Sequence, residues 1–460
     1  MSKIQDTSLS LANPDPASTS SFQKIALSMI AVGFFMMTIR LLNLSWSHAA
    51  LELTISSLLI IIGTISYARS LYHHQPNGIK NHYVFFRSIS TRGIVGWMTG
   101  IVLTLFYIAL YWYPEYLGQR YGSASVGLVA LFEPLSMFLR NRPADQWFVY
   151  GTFYTGAVVL LGIKFMYKYR GNRYQMIRTG SVMFFQLAFS FMIPAILLRL
   201  NQPEYYFSYF WPLKREYLLP DEWHHLTQNG GLGVFMFFWG VMMILVATPI
   251  LTYFFGKRWY CSWVCGCGAL AETSGDSFRQ LSSKKLSSWK LERWMIYSVL
   301  VLVIGLTAVL WINSYSQGSL LGSASVSYSK WYGFFIGSIF SGVIGTGFYP
   351  ILGSRSWCRF GCPMAAILGL LQKYYSRFRI TTNGGQCISC GNCSTYCEMG
   401  IDVRAYAQRG QNIVRASCVG CGVCSAVCPR GVLKLENGPV AKRTEENPIA
   451  IDKYGAKLNL

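Results

Sequence analysis

The chain reads as an all-α polytopic membrane protein of about eight transmembrane helices, with a small α+β domain at its C-terminal end. Three features point there. Of the 460 residues, 52% are hydrophobic and only 13% charged, whereas a soluble domain carries roughly 25% charge. Apolar runs matching the roughly 30 Å hydrocarbon core recur as far as residue 351. Eight cysteines then crowd into residues 387–428.

The runs fall near 23–43, 50–68, 94–113, 147–167, 180–200, 232–254, 294–314 and 331–351, each able to span as a helix of about 20 residues. Residues 1–22 are polar and rich in Ser, Thr and Pro. They lack the basic start and short apolar stretch of a signal peptide, so they read as a disordered cytoplasmic leader. Lysine and arginine gather in the loops that stay inside. With a cytoplasmic N-terminus, segments 69–93, 168–179, 255–293 and 352–460 hold 29 basic residues, against 6 in 44–49, 114–146, 201–231 and 315–330. Residues 125–139 are also apolar, but counting them as a span would turn basic 69–93 outward. They read as re-entrant or interfacial. Both termini and the C-terminal domain are then cytoplasmic. The net charge of +21 follows the membrane boundaries and meets anionic headgroups, which disfavours nucleic acid as a partner.

The clustered cysteines form two copies of C-x2-C-x2-C-x3-C: Cys387, Cys390, Cys393, Cys397, then Cys418, Cys421, Cys424, Cys428. Three cysteines at this spacing wrap one face of a [4Fe–4S] cube and a distant fourth closes it; in two-cluster domains that fourth serves the other cluster. One set is then Cys387, Cys390, Cys393 and Cys428, the other Cys418, Cys421, Cys424 and Cys397. Structural zinc uses four ligands per site and leaves the third cysteine of each run unexplained; a reducing compartment disfavours disulfides. Residues 381–440 are therefore expected to form a two-cluster, bacterial-ferredoxin-like domain. Asp402–Arg409 reads as one short helix within it, and residues 441–460 as a basic tail. Pro429 follows the last cysteine as the motif expects, but Glu398 stands where the first copy would carry proline, a change that loosens a turn and removes no ligand. From Met364 onward 12 Lys/Arg face 6 Asp/Glu, a basic surface suited to an acidic soluble electron donor.

The other five cysteines repeat a pattern. Gly256-Lys-Arg-Trp-Tyr-Cys261-Ser-Trp-Val-Cys265 and Gly353-Ser-Arg-Ser-Trp-Cys358-Arg-Phe-Gly-Cys362 both read G-x-R-x-aromatic-C-x-aromatic-x-C, and each follows a span on the cytoplasmic side. Cysteines at i and i+4 share one helix face. If the hooks face each other, four thiolates converge on a third cluster or one tetrahedral metal; redox-active dithiols and simple apolar packing are the alternatives. Cys267 lies one helical step beyond the first hook, and the second has Met364 there. Residues 353–380 comprise the second hook and a connecting amphipathic helix.

Paired C-x3-C hooks after membrane spans, followed by the two-cluster module, resemble the membrane polyferredoxins associated with nitrous oxide reductase and periplasmic nitrate reductase (NosR/NapH-type). The stretch Arg173-Tyr-Gln-Met-Ile-Arg178-Thr-Gly-Ser-Val-Met-Phe-Phe-Gln186, ahead of Pro194, is similar to the first of these. The likeness covers residues 90–440. It implies a bacterial inner-membrane subunit carrying electrons between the quinone pool, or a cytoplasmic donor, and an extra-cytoplasmic reductase system of nitrous oxide or nitrate respiration. Two departures matter: no S-G-A-T flavin-attachment motif occurs, and the first hook reads Cys265-Gly266-Cys267 where the family has Cys-Pro. A partner subunit is then expected to carry the flavin, or electrons are handed over differently.

His48, His73, His74, His82, His224 and His225 all fall in expected loops, and no C-x2-C-H occurs, so haem is disfavoured. No nucleophile–base pair, phosphate loop or paired carboxylate supports hydrolytic or transfer chemistry. Arg40 and Glu52, near the same ends of consecutive spans, read as an ion pair. Gln186 and Glu133 are the candidates for a quinone carbonyl or its proton. Besides quinol-oxidising electron transfer, two other readings stand: an assembly factor reducing metal or thiols for a copper enzyme, and a redox sensor.

Overall fold

The computed structural model describes residues 19–73, 88–220, 226, 228, 230–319, 321–439, 450–452 and 455–457. Among these, seven helices are long and apolar enough to cross a membrane: Ser21–Leu42, Ala49–Tyr72, Ile94–Trp112, Gln146–Lys168, Arg173–Arg199, Gly230–Phe255 and Leu286–Tyr315. Phe35, Ile94, Val102, Leu245 and Val301 point outward and are exposed, the arrangement expected where lipid is the solvent. The chain is a multi-pass membrane protein.

The helices begin where side chains satisfy orphan donors. Gln23 N donates to Ser20 Oγ at 3.2 Å and Ser20 N to Gln23 Oε1 at 3.3 Å, a capping box. Asp145 and Asn172 cap their helices through Phe148 N (2.7 Å) and Gln175 N (3.1 Å). Two spans widen into i→i+5 turns at Phe185–Met192 and Met243–Ala247, each followed by a proline (Pro194, Pro249) with no N–H for the i→i−4 ladder. Thr248 donates to Met243 O twice, through its backbone N–H and through Oγ1 at 2.7 Å, which closes the wide turn. The first two spans touch through small residues. A Cβ on Gly33 or Gly63 would stand 2.8 Å from a backbone oxygen of the other helix. Glu52 is buried there and pairs with Arg40, as the sequence predicts.

Several expectations change. The eighth span, 331–351, is not among the seven helices. Its helix starts at Gly322 in a polar stretch, takes wide turns over Gly333–Ile344, and stops in a turn at 345–348. It still returns the chain to the end where Gly230–Phe255 finished, because the segments after both pack together. Other helices outrun their apolar runs: Arg173–Arg199 and Leu286–Tyr315 each gain a polar first turn or more. Residues 125–139 form two short helices, Gly127–Leu131 and Glu133–Arg140, broken at Phe132. The first helix already starts at Ser21, inside the expected 1–22 leader, whose residues 1–18 lie outside the described residues, as does most of the 441–460 tail. His48 and His73 flank Ala49–Tyr72; the other four histidines lie outside the described residues.

The C-terminal module pairs strand Phe378–Thr382 antiparallel with Leu433–Asn437, Phe378 opposite Asn437. Between them lie the short helices Asn392–Thr395, Val403–Gln408 and Val423–Ala426. Asp402 caps the middle one through Ala405 N at 3.4 Å. The module shares one buried core with the helical part, running from Phe210, Tyr260 and Val303 through the hooks to Cys393, Cys418 and Cys424.

Candidate iron–sulfur centres

Each hook is a helix break. Cys261 ends the single turn Arg258–Cys261, and Cys265 caps the next helix, Gly266–Thr273. Likewise Cys358 lies in Ser356–Phe360 and Cys362 caps Pro363–Tyr375. The expected continuous face of i and i+4 cysteines is therefore replaced by two facing turns. Cys265 N turns back to Tyr260 O at 2.8 Å and Cys362 N to Trp357 O at 3.0 Å. Pro363 has no N–H to extend the earlier helix through. Gly256 (φ +67°) and Gly353 (φ +94°) make the preceding bends. A Cβ there would stand 2.6 Å from Gln372 Oε1 or 2.3 Å from Ser282 Oγ, so only glycine fits.

The turns bring Cys261, Cys265, Cys358 and Cys362 into electrostatic reach of one another, all four buried. Arg355 ties the hooks together: Nη1 donates to Cys261 O at 3.3 Å and to Cys358 Sγ at 3.7 Å. Ala365 N donates to Cys362 Sγ at 3.4 Å. Burial pushes the Cys261 thiol up to about 12 although Lys257 and Arg355 oppose it, and raises Cys358 and Cys362. The neighbouring Cys267 thiol, then burial, raises Cys265. A bound metal centre would deprotonate such buried thiols. Cys267 is half-buried beside Cys265, within reach of Tyr154 and Tyr209.

The module's cysteines group in space as their spacing predicts. Cys387, Cys390, Cys393 and Cys428 line one cavity with Arg404 and Arg430. Cys424 lies in reach of Cys418, Cys421 and Cys397, and also of Cys393 in the other set. The sets are related by a local repeat: Ile401 N donates to Cys397 Sγ at 3.4 Å and Val432 N to Cys428 Sγ at 3.3 Å. Burial raises Cys393 and Cys421 to about 12 and Cys418 to about 11. Among the described residues, no three His, Cys, Asp or Glu side chains are close enough to grip one metal ion. One ion, with Zn–S of about 2.3 Å, needs its sulfurs close together; a cube with iron at its corners holds them farther apart. The all-thiol donor sets and their N–H···S bonds fit [4Fe–4S] clusters.

The Cys418 turn docks on the helical part. Ser262 Oγ donates to Val419 O (2.7 Å), Tyr174 OH to Gly420 O (2.9 Å) and Gln175 Nε2 to Cys421 O (2.9 Å). Gln372 Nε2 donates to Cys418 O at 2.8 Å, and buried Lys257 Nζ to Ala416 O at 2.8 Å. Arg258 of the first hook lies 4.8 Å over the Phe378 ring. The Cys418 set therefore faces the hooks, with the Cys387 set beyond it. Sequence reasoning overlooked these donors, although Tyr174, Arg178 and Ser181 fall at helical spacing on one face.

Behind the docked turn lies a buried charge network. Arg178 donates two hydrogen bonds to Glu272. Arg279 reaches Glu272 (3.4 Å), Asp276 (2.8 Å) and Glu398 (2.9 Å). Arg355 reaches Glu398 at 3.0 Å and Glu272 at 3.8 Å, and Lys168 pairs with Asp276 at 2.7 Å. Burial alone would raise Asp276, but Lys168 and Arg279 outweigh it and hold its carboxyl at about 2. Glu398 is likewise held low by Arg279 and Arg355 against its burial. Glu398 is thus an anchor, and not the loosened turn expected of it.

Gln186 donates to Thr155 Oγ1 at 3.1 Å, and its carbonyl oxygen is buried against Gly266 in the first hook. Glu133 accepts from Ala144 N at 2.8 Å, which ties its short helix to the start of the next span.

Residues 237–288 and 332–381, one hook in each, match the model of a 4Fe-4S binding domain, and residues 386–433 match a 4Fe-4S dicluster domain. The electron transport protein YccM of Escherichia coli (strain K12) is 27% identical over 172 residues, 35% of this chain and 47% of that protein. The methylamine utilization ferredoxin-type protein MauN of Methylobacillus flagellatus is 26% identical over 158 residues, 33% of this chain and 53% of that protein. The chain spans about half the length of these curated relatives. No solved structure matches it.

Proposed function

We propose that this chain is a membrane-bound electron-transfer protein holding three [4Fe–4S] clusters: one between the hooks, one on Cys418, Cys421, Cys424 and Cys397, and one on Cys387, Cys390, Cys393 and Cys428. The observation that carries this reading is that the three cysteine sets follow one another through a single buried core, the middle set hydrogen-bonded to the hook region. Clusters bound there supply one-electron couples in a row between the module's outer face and the membrane. The chain's residues bury the hook set and half of the middle set, aim N–H groups at sulfur, and place Arg178, Arg279 and Arg355 where they offset thiolate charge.

The loop charges support a module on the cytoplasmic side, and the resemblance implies a bacterial inner membrane. Arg404 and Arg430, exposed at the rim of the outermost set, fit an acidic soluble donor. Gln186, against the first hook, is the stronger quinone candidate; Glu133 is engaged with Ala144 N. The resemblance implies an acceptor on the other face, supplied by a flavin-bearing subunit or a reductase system of the nitrous oxide or nitrate type.

Cys424→Ser tests the order of the row. In anaerobically solubilised wild-type protein, reduced flavodoxin should bleach both the module and the hook signals. In the variant the outermost set should still be reduced while reduction at the hooks falls to the uncatalysed background. Equal hook reduction in both proteins would show that electrons do not pass the middle set.

A further inference from the structure

Glu398 follows Cys397 at the position that Pro429 holds after Cys428. The two equivalents differ sharply in surroundings. Pro429 is exposed, whereas Glu398 is 1% exposed and meets both Arg279 and Arg355. Of the seven charged residues in the buried network, Glu398 alone belongs to the module; the rest come from Gln146–Lys168, Arg173–Arg199, the segment after the first hook, and the second hook. Arg355 carries the connection onward to Cys358 Sγ and Cys261 O. On the other side, Cys421 lies in the field of Glu398, Arg279 and Arg178. The network therefore stands between the hook cysteines and the middle set and touches both.

We infer that Glu398 is a positioning residue that locks the middle cysteine set against the second hook through Arg355 and sets the relative potentials of the two sites. A fixed anion beside a cluster disfavours adding an electron, and a fixed cation favours it; in a water-excluded site neither is screened. Glu398 holds Arg279 and Arg355 neutralised on the module side. Without its charge, both guanidiniums act unopposed on the middle set and the hook. The inference rests on the three-cluster reading above.

The test is a potentiometric titration of the full-length protein, anaerobic and followed by electron paramagnetic resonance, on wild type, Glu398→Gln, Glu398→Asp and Arg355→Gln. Iron per chain is measured in parallel. Glu398→Gln should move the hook and middle-set potentials upward and leave the outer Cys387 set in place. Glu398→Asp should return them toward wild type. Arg355→Gln should move them downward, a reversal of sign that a merely structural role does not produce. Unchanged potentials in fully loaded Glu398→Gln, or shifts of the same sign in both charge-removing variants, would overturn the inference. Should Glu398→Gln lose iron, Arg355→Gln decides alone: a downward shift upholds the assignment and any other result removes it. An iron-free wild type would instead sink the cluster reading itself.

Discussion

Cys358→Ser is expected to lower the iron content from about twelve to about eight atoms per chain, because it removes one thiolate from the four that converge between the hooks. The module should keep its own two spectroscopic signatures, since its cysteines are held by separate turns. Reduction of the module by a soluble donor should continue, while transfer to a membrane-side acceptor should stop. Arg355, which donates to Cys358 Sγ, makes serine a weaker but similarly sized partner, so the fold should survive. Unchanged iron in this variant would remove the third cluster and return the hooks to packing or thiol chemistry.

Glu272→Ala should be strongly destabilising. Glu272 is fully buried and faces Arg178, Arg279 and Arg355. Removing one partner of a buried ion pair strands the other charge and typically costs about 3–5 kcal/mol. Here three guanidiniums lose their shared carboxylate. The expected result is a large drop in thermal midpoint, with the module released to protease before the helices unfold. A loss below about 1 kcal/mol, the scale of an exposed pair, would mean that the network is solvated in the working protein.

What the sequence revealed divides along the range of the interactions. The eight module cysteines stand out because their spacing is local, and the motif leads one to expect the crossed grouping, Cys428 with Cys387 and Cys397 with Cys418. The hooks were legible as a repeat, but their shape was not. Reading i and i+4 as one helical face ignored that Gly266 and Pro363 open new helices at Cys265 and Cys362. The apolar runs located the spans, and helix ends were misplaced wherever polar turns continue them, as at Arg173 and Leu286. For the same reason the bounds 331–351 are misplaced, because that helix reaches back into polar 322–330. The charge network left no trace in local pattern. Arg178 and Glu272 lie 94 positions apart, and Glu398 shows in sequence only as a missing proline. The lesson of Glu398 is that a departure from a motif can mark a contact made elsewhere.

Iron and acid-labile sulfide, measured together on anaerobically purified full-length protein, test the central claim most directly. Three clusters predict about twelve of each per chain. About eight would restrict clusters to the module, and iron-free, colourless protein would contradict the account altogether.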